Sequence, residues 1–335
     1  MLVTGSSGFL GRSVVANLLR RGHTVRAMVR PASDRAALPW AGAVELFTAD
    51  LRGGEDLAGA LDGIEAVVHL AARVDGDDAD QFAAAVRGTE RLLEAMARAG
   101  TRRLVLASSM AVYDWSAASG TLTEQSPLED EIYQRDGYAQ AKWWQERLAR
   151  RLCAQHGIAL TVLRPGFIWG PGNVEIAGVG QRVGRWHVVV GPRRTVPLTY
   201  VENCADCFGL ALEDPAAVGG TFNVVDPDAP TAWEFASGPM RRAGSSELRL
   251  PLPYAVASRL VRLVWALSRL VLGPKLRLPG LLTPRVFDVR FKPLRYSSAA
   301  LQQALGWKPP LSFDRSVATC SDVTVLRRSS RSDAA

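Results

Sequence analysis

Lysine is nearly absent from this chain. Among 40 basic residues in 335, only Lys142, Lys275, Lys292 and Lys308 are lysines, so arginine carries almost all of the positive charge. Cysteine and histidine are equally scarce, with four of each. The cysteines lack a framework spacing, which excludes a disulfide-stapled secreted domain and points to a reducing compartment; the cytoplasm is expected. Cys204-Ala-Asp-Cys207 has no second cysteine pair to complete a zinc site, and His23, His69, His156 and His187 do not cluster in sequence, so no metal is expected. No basic segment leads into an apolar stretch at the N-terminus, so no signal peptide is expected. A stripe of basic residues interleaved with aromatics is missing too, and nucleic acid is not an expected partner.

An uninterrupted apolar run is also lacking. Pro253 to Gly273 comes nearest, but Arg259, Arg262 and Arg269 break it, which argues against a transmembrane helix. At helical spacing Leu260, Leu263, Leu267 and Leu270 lean away from those arginines. The expectation is an amphipathic helix with its leucines on the core. A substrate lid or a membrane-surface helix is the less favoured reading.

What is present is the pattern of an α/β protein. Hydrophobic residues make up 47% and charged residues 22%, as in soluble globular proteins. Strands are expected at Leu2–Thr4, Thr24–Val29, Val44–Thr48, Ala66–Leu70, Arg103–Ala107 and Leu160–Arg164. Helices are expected at Arg12–Arg21, at Asp80–Ala99, and from about Asp136 to Gly157. Alternation at these lengths means βαβ units and a doubly wound parallel sheet of Rossmann-like type. After Arg164 the alternation lapses, with short strands expected near Val188–Val190 and Thr221–Val225 and helices and loops from about Asp228. The expected organisation is a dinucleotide-binding domain at 1–175, to which 196–227 return, with 176–195 and 228–320 as a smaller substrate-binding region. The polar tail, 326–335, is expected to be disordered. Because the first strand is so short, the native chain is expected to start a few residues before Met1.

Two clusters carry chemistry. Gly5-Ser-Ser-Gly8-Phe9-Leu10-Gly11 follows the first strand and opens the first helix. Such glycines allow a tight turn, close backbone approach to a pyrophosphate, and close helix–sheet packing, while the helix N-terminus offers free N–H groups. The second cluster is Tyr138-Ala-Gln-Ala-Lys142. Lysine is a compact point cation where arginine is a planar fork, and these two side chains lie one helical turn apart on one face. An ammonium beside a phenol favours the phenolate. Ser109 follows the strand Arg103–Ala107, at the end where a doubly wound sheet places its ligands.

Taken in order, Gly5-Ser-Ser-Gly8-Phe-Leu-Gly11, Ala49-Asp50-Leu51, His69-Leu-Ala71-Ala72-Arg73, Ser108-Ser109-Met-Ala-Val-Tyr113, Tyr138-x3-Lys142, Arg164-Pro165-Gly-Phe-Ile168-Trp-Gly-Pro, Tyr200-Val-Glu-Asn-Cys-Ala and Leu305-Gly-Trp-Lys-Pro309 resemble the extended short-chain dehydrogenase/reductase superfamily, its epimerase/dehydratase branch. The likeness runs over about residues 1 to 315, and the C-terminal half looks closer to relatives acting on hydroxysteroids or β-keto acyl compounds.

The resemblance implies a dinucleotide held by Gly5, Ser7, Gly8, Phe9, Leu10 and Gly11, with Asp50 and Leu51 at the adenine. Ala71, Ala72 and Arg73 would line the cofactor passage, and Pro165 and Ile168 would contact the nicotinamide carboxamide. It also implies a catalytic Ser109, Tyr138 and Lys142, with the lysine on the nicotinamide ribose. An acid that would grip the ribose 2′-hydroxyl is missing: Val29 stands in its place and Arg30 follows, which favours NADP(H) over NAD(H). Asp34 nearby keeps NAD open. Two departures narrow the reading. Ala85 stands where many relatives have Asn, and Met110-Ala111 stand where sugar dehydratases carry Asp-Glu, which argues against dehydration. The expected protein is an NAD(P)-dependent oxidoreductase acting on a secondary alcohol or ketone, with a small-molecule substrate and a homodimeric assembly. A nucleotide-sugar epimerase with retained NAD and a non-catalytic NADP-binding protein are the alternatives.

Overall fold

The computed structural model describes residues 1–72, 77–242, 248–272 and 280–320. Seven parallel strands make the central sheet: β1 Leu2–Thr4, β2 Arg26–Val29, β3 Glu45–Thr48, β4 Ala66–His69, β5 Arg103–Ala107, β6 Ala159–Pro165 and β7 Thr221–Val224. Their order across the sheet is β7-β6-β5-β4-β1-β2-β3. The order reverses between β1 and β4, so the connections leaving these neighbours diverge and a crevice opens at their carboxyl ends.

Alternation along each strand builds two cores. Val3, Val68, Val105 and Leu163 face helices α1 (Phe9–Arg20) and, later in the chain, Val201–Glu213, whose Val14, Val15, Leu18, Cys204 and Phe208 cover them. Leu2, Val67, Leu104, Leu106 and Val162 face the other way, onto α2 (Gly88–Ala99) and α3 (Gly137–His156) through Leu92, Leu93, Met96, Ala149 and Cys153. A side-chain period of two, read on strands buried on both faces, produces this division.

Local signals set the helix ends. Asp136 caps α3 by accepting from the Ala139 amide, and Gly157 ends it at φ 64°. Where one helix is expected at Asp80–Ala99, the chain instead forms Asp78–Phe82, a π turn at Ala83–Arg87, and α2. The Thr89 hydroxyl bonds back to the Ala85 carbonyl at that junction, the sort of local insertion that accompanies a widened turn.

A smaller region lies beyond the sheet. Phe167–Trp169 pairs with Leu198–Tyr200, and Leu248–Leu252, Trp186–Val190 and Gly180–Val183 form a three-stranded sheet. The strand at Leu248–Leu252 lies where helices and loops are expected; its parallel partner is some sixty residues away, so no local pattern announces it.

The apolar helix corrects a second expectation. It forms, at Tyr254–Leu272, but its leucines do not face the core. Leu260, Leu263, Leu267 and Leu270 are 53, 55, 49 and 82% exposed. Contact with the protein runs instead through Ala257 and Val261, packed on Val190, Phe287 and Phe291. The helix has two apolar sides, and the smaller side chains allow the closer approach. Among the described residues no helix is long and apolar enough to cross a membrane. The expected disordered tail, 326–335, lies outside the described residues.

The glycine turn supplies a test of the packing. A Cβ on Gly11 would sit 2.1 Å from the Gly5 carbonyl oxygen, whereas one on Gly42 would meet nothing within 4 Å. Gly11→Ala is expected to cost about 1–3 kcal/mol by overpacking, and Gly42→Ala well under that. Chemical denaturation of the two variants checks the contrast.

Candidate functional site

At the carboxyl end of the sheet lies a cavity of about 980 Å³. Its nucleotide end is made by the first strand's exit. Gly5 turns at φ +69°, and a Cβ there would lie 2.8 Å from the Ala71 nitrogen. The Gly8 amide closes the turn on the Gly5 carbonyl at 3.1 Å, and Ser6 Oγ anchors it to the Met28 carbonyl at 2.6 Å. The N-terminus of α1, at Phe9, Leu10 and Gly11, opens on this space. Bare backbone, free amides and a helix's positive end fit a pyrophosphate. A Cβ at Gly5 or Gly11 would collide with neighbouring backbone and prevent this tight turn, so the residues present fit a dinucleotide.

Arg30 and Asp50 border the same end. The Arg30 side chain is exposed and makes no hydrogen bond or ion pair among the described residues. The Asp50 carboxylate is gripped by Arg52, whose Nη2 lies 2.8 Å from Oδ2. That bond first, against burial, and the nearby Arg30 charge hold the carboxyl below its usual range. Leu51, Ala71 and Ala72 also line the cavity, as do Ser7, Pro165 and Ile168. Arg73 lies outside the described residues.

Tyr138, Lys142 and Ser109 line the same cavity. Ser109 stands just past β5, its Oγ accepting from the Ala111 amide at 3.1 Å. Its neighbour Ser108 turns the other way and donates to Glu146 at 2.6 Å. Burial raises the Tyr138 phenol above its ordinary value, while a hydrogen bond with Ser109 works in the opposite sense. Lys142 is 3% exposed. Its Nζ donates to the Ala107 carbonyl at 2.7 Å and to Gln145 Oε1 at 2.9 Å. Burial lowers its pKa to about 7, with the Glu146 charge acting against that. The expected pull of the ammonium on the phenol is therefore not seen here: no hydrogen bond joins the two among the described residues, and the lysine's protons go to a carbonyl and an amide.

Support for the lysine comes from residues that the sequence pattern does not single out. Gln145 passes its own amide proton to Thr89 Oγ1 at 2.9 Å. His69, fully buried, lies between Thr4 Oγ1 at 2.6 Å and Thr89 Oγ1 at 2.8 Å. Burial first, and then the Lys142 charge, lower its pKa to about 3, so it stays neutral. Beneath them Arg164 grips Glu146 with Nε at 3.0 Å and Nη2 at 2.6 Å. Burial pushes the Glu146 carboxyl up, but Arg164, Ser108 and Arg150 outweigh it and hold the group at about 2. Met110, Ala111, Trp115, Phe167, Ile176 and Val289 give the cavity an apolar part of its lining, which also includes Arg135, Glu175 and Arg290. The apolar residues come from four separate stretches of chain, so no local motif could reveal them.

The sequence matches the NAD dependent epimerase/dehydratase family over residues 1–224. The chain belongs to that family. It is 29% identical over 340 residues to a 3 beta-hydroxysteroid dehydrogenase/Delta 5-->4-isomerase of Mycobacterium tuberculosis, covering 96% of this chain and 89% of the relative. It is 27% identical over 327 residues to the decarboxylating sterol-4-alpha-carboxylate 3-dehydrogenase of Mus musculus, covering 94% and 88%. In fold it is similar to the UDP-glucose 4-epimerase of Thermus thermophilus solved with NAD, with a TM-score of 0.69, 22% identity, and coverage of 97% and 98%.

The Glu146–Arg164 pair yields a stability test. Glu146→Gln leaves the Arg164 guanidinium buried without its counter-charge, which should cost about 3–5 kcal/mol. The native carboxyl titrates near 2 against an ordinary 4.5. Its contribution is therefore full above the ordinary value and is lost as pH falls through the folded one. Unfolding measured between those two pH values should fall less steeply in the variant than in the parent.

Proposed function

We propose that this protein, an NAD(P)-dependent dehydrogenase/reductase of the extended short-chain type, interconverts a secondary alcohol and its ketone using Tyr138, Lys142 and Ser109. The observation that carries this reading is convergence. Groups from α3 and from the end of β5 face one cavity whose other end is the glycine cradle.

When bound, the nicotinamide cofactor takes up or gives the hydride. The protein's own groups handle the proton. Ser109 Oγ holds the substrate oxygen; the Tyr138 hydroxyl gives that oxygen a proton in reduction, and the Tyr138 phenolate takes one from it in oxidation. Ser109 and Tyr138 act on one another, which supports this division, because a substrate oxygen entering between them would keep both groups satisfied. Lys142 is turned by Ala107 and Gln145 toward the cavity, where it would hold the nicotinamide ribose. Its charge would then sit beside Tyr138 with the site closed to water, where it favours the phenolate.

We further propose NADP(H) as the preferred cofactor. Arg30 supports this: it borders the cradle and has no hydrogen-bond or ion-pair partner to give up among the described residues. Asp34, the residue that keeps NAD open, spends its Oδ1 on the Ala36 amide at 3.0 Å. The substrate's body is apolar, as Met110, Trp115, Phe167, Ile176 and Val289 support. That lining favours a hydrocarbon alcohol over a nucleotide sugar, and the sterol-acting relatives agree in kind.

Tyr138→Phe should lower turnover by about 10²–10⁴-fold while leaving cofactor affinity within a few-fold; near-normal turnover in stopped-flow assays would reject the role. Arg30→Ala should weaken NADPH about 10–100-fold, the worth of a charged hydrogen bond, and leave NADH nearly unchanged, as isothermal titration would show. Mass analysis of cofactor released on denaturation separates the alternatives. Stoichiometric retained NAD would favour the epimerase, and an exchangeable site the reductase.

A further inference from the structure

We propose that helix Tyr254–Leu272 docks the protein on the surface of an anionic lipid bilayer. The helix is 19 residues long, or about 28 Å at 1.5 Å per residue. Its protein-facing side is Ala257, Ser258 and Val261. On the opposite side Val256, Leu260, Leu263, Leu267 and Leu270 recur at intervals of four and three, forming one continuous stripe, with Val264 and Val271 beside it. All seven are exposed, from 40 to 82%. A contiguous apolar surface of this kind on a soluble protein marks an interaction site.

Charge identifies the occupant. The helix carries Arg259, Arg262 and Arg269 along one flank of the stripe and has no Asp or Glu. Arg269 lies over the Trp265 ring, 4.9 Å from its centroid, so the aromatic and the cation sit together as at a headgroup boundary. Over Leu248–Leu272 and Gly280–Tyr296 there are eight Arg or Lys and one acid, Asp288; Arg285 is answered from outside the segment by Glu129 at 2.7 Å and Glu131 at 3.1 Å, and the charge that remains is still positive. Asp288 is already taken, by Arg262 at 3.0 Å and Tyr254 at 2.8 Å. A second copy seated on the stripe would bring one positive flank against another, with no acid on either helix to answer it. An apolar stripe flanked by arginines is the pattern of an interfacial helix lying in the headgroup layer, and anionic lipid supplies the missing counter-charge.

The test uses the full chain and vesicles of phosphatidylcholine with and without phosphatidylglycerol, at low and high salt. The protein should sediment with the anionic vesicles and be released by salt. Arg259→Gln and Arg269→Gln should each weaken partitioning about fivefold, the effect of one basic residue near an anionic surface. The double variant Leu263→Glu/Leu267→Glu should abolish it, with melting temperature and cofactor affinity unchanged because both side chains are exposed. The proposal is overturned if the parent protein stays in solution with anionic vesicles, if it binds neutral vesicles equally well, or if the double variant binds as the parent does. It is also overturned if the double variant halves the mass in solution, which would make the stripe a subunit interface. None of these readouts depends on oxidoreductase activity.

Discussion

Glu146 and Arg164 are each 3% exposed, and two charges so deep are tolerable because the guanidinium meets the carboxylate with two parallel donors. Isolated, either ion would cost several kcal/mol. Paired, with Ser108 on one carboxylate oxygen and the Tyr113 hydroxyl on the third guanidinium nitrogen, the cluster leaves few groups unanswered. Its members come from α3, from β6 and from the end of β5. The pair therefore fixes the angle and height at which α3 crosses the sheet. One turn above it on the same face is Lys142, and one turn further is Tyr138. A shift of α3 that moved the phenol away from Ser109 would first have to break a buried ion pair, so the packing of α3 and the placing of the phenol are held by the same contact.

How much of this could be read from the sequence depended on how far apart the partners lie. The cap at Asp136, the stop at Gly157 and the cradle of Gly5, Gly8 and Gly11 are local: the residues that make them are neighbours in the chain, and they were legible. The sheet was legible too, because strands buried on both faces leave continuous apolar runs. Gln145 and Glu146 were not, since a polar residue on a helix looks the same whether it faces water or Arg164 eighteen residues away. The strand Leu248–Leu252 was missed for the same reason. The stripe of leucines from 260 to 270 is visible in the sequence but its surroundings are not, because periodicity reveals a face and is silent about what it meets.

The scarcity of lysine takes on a physical meaning at Lys142. Its buried Nζ is placed between a backbone carbonyl and an amide oxygen at the edge of the cavity. An ammonium directs protons to both and still faces the cavity. A guanidinium at the same Cα would bring a larger planar group against β5 and carry a charge that burial cannot remove. The lysine's pKa of about 7 follows from that confinement, as does its response to whatever enters the cavity. An anionic or strongly accepting group beside Nζ would restore the charge that burial suppresses.

The exposed helix and the cavity share a wall. Helix Tyr254–Leu272 rests on Pro284–Phe291 through Phe287 and Phe291, and Val289 and Arg290 of that second helix line the cavity. A bilayer seated on the leucine stripe would lie one helix away from the lining of the site. On the proposed reading the substrate is a poorly water-soluble alcohol, and its concentration in lipid far exceeds that in water. For such a molecule the path from bilayer to cavity is shorter than the path through solvent. The hydrophobic cost of leaving lipid is also met by an apolar wall at the point of entry. On that proposal an exposed row of leucines is compatible with a folded chain: the positive charge of this segment would keep copies apart while leaving an anionic surface free to bind.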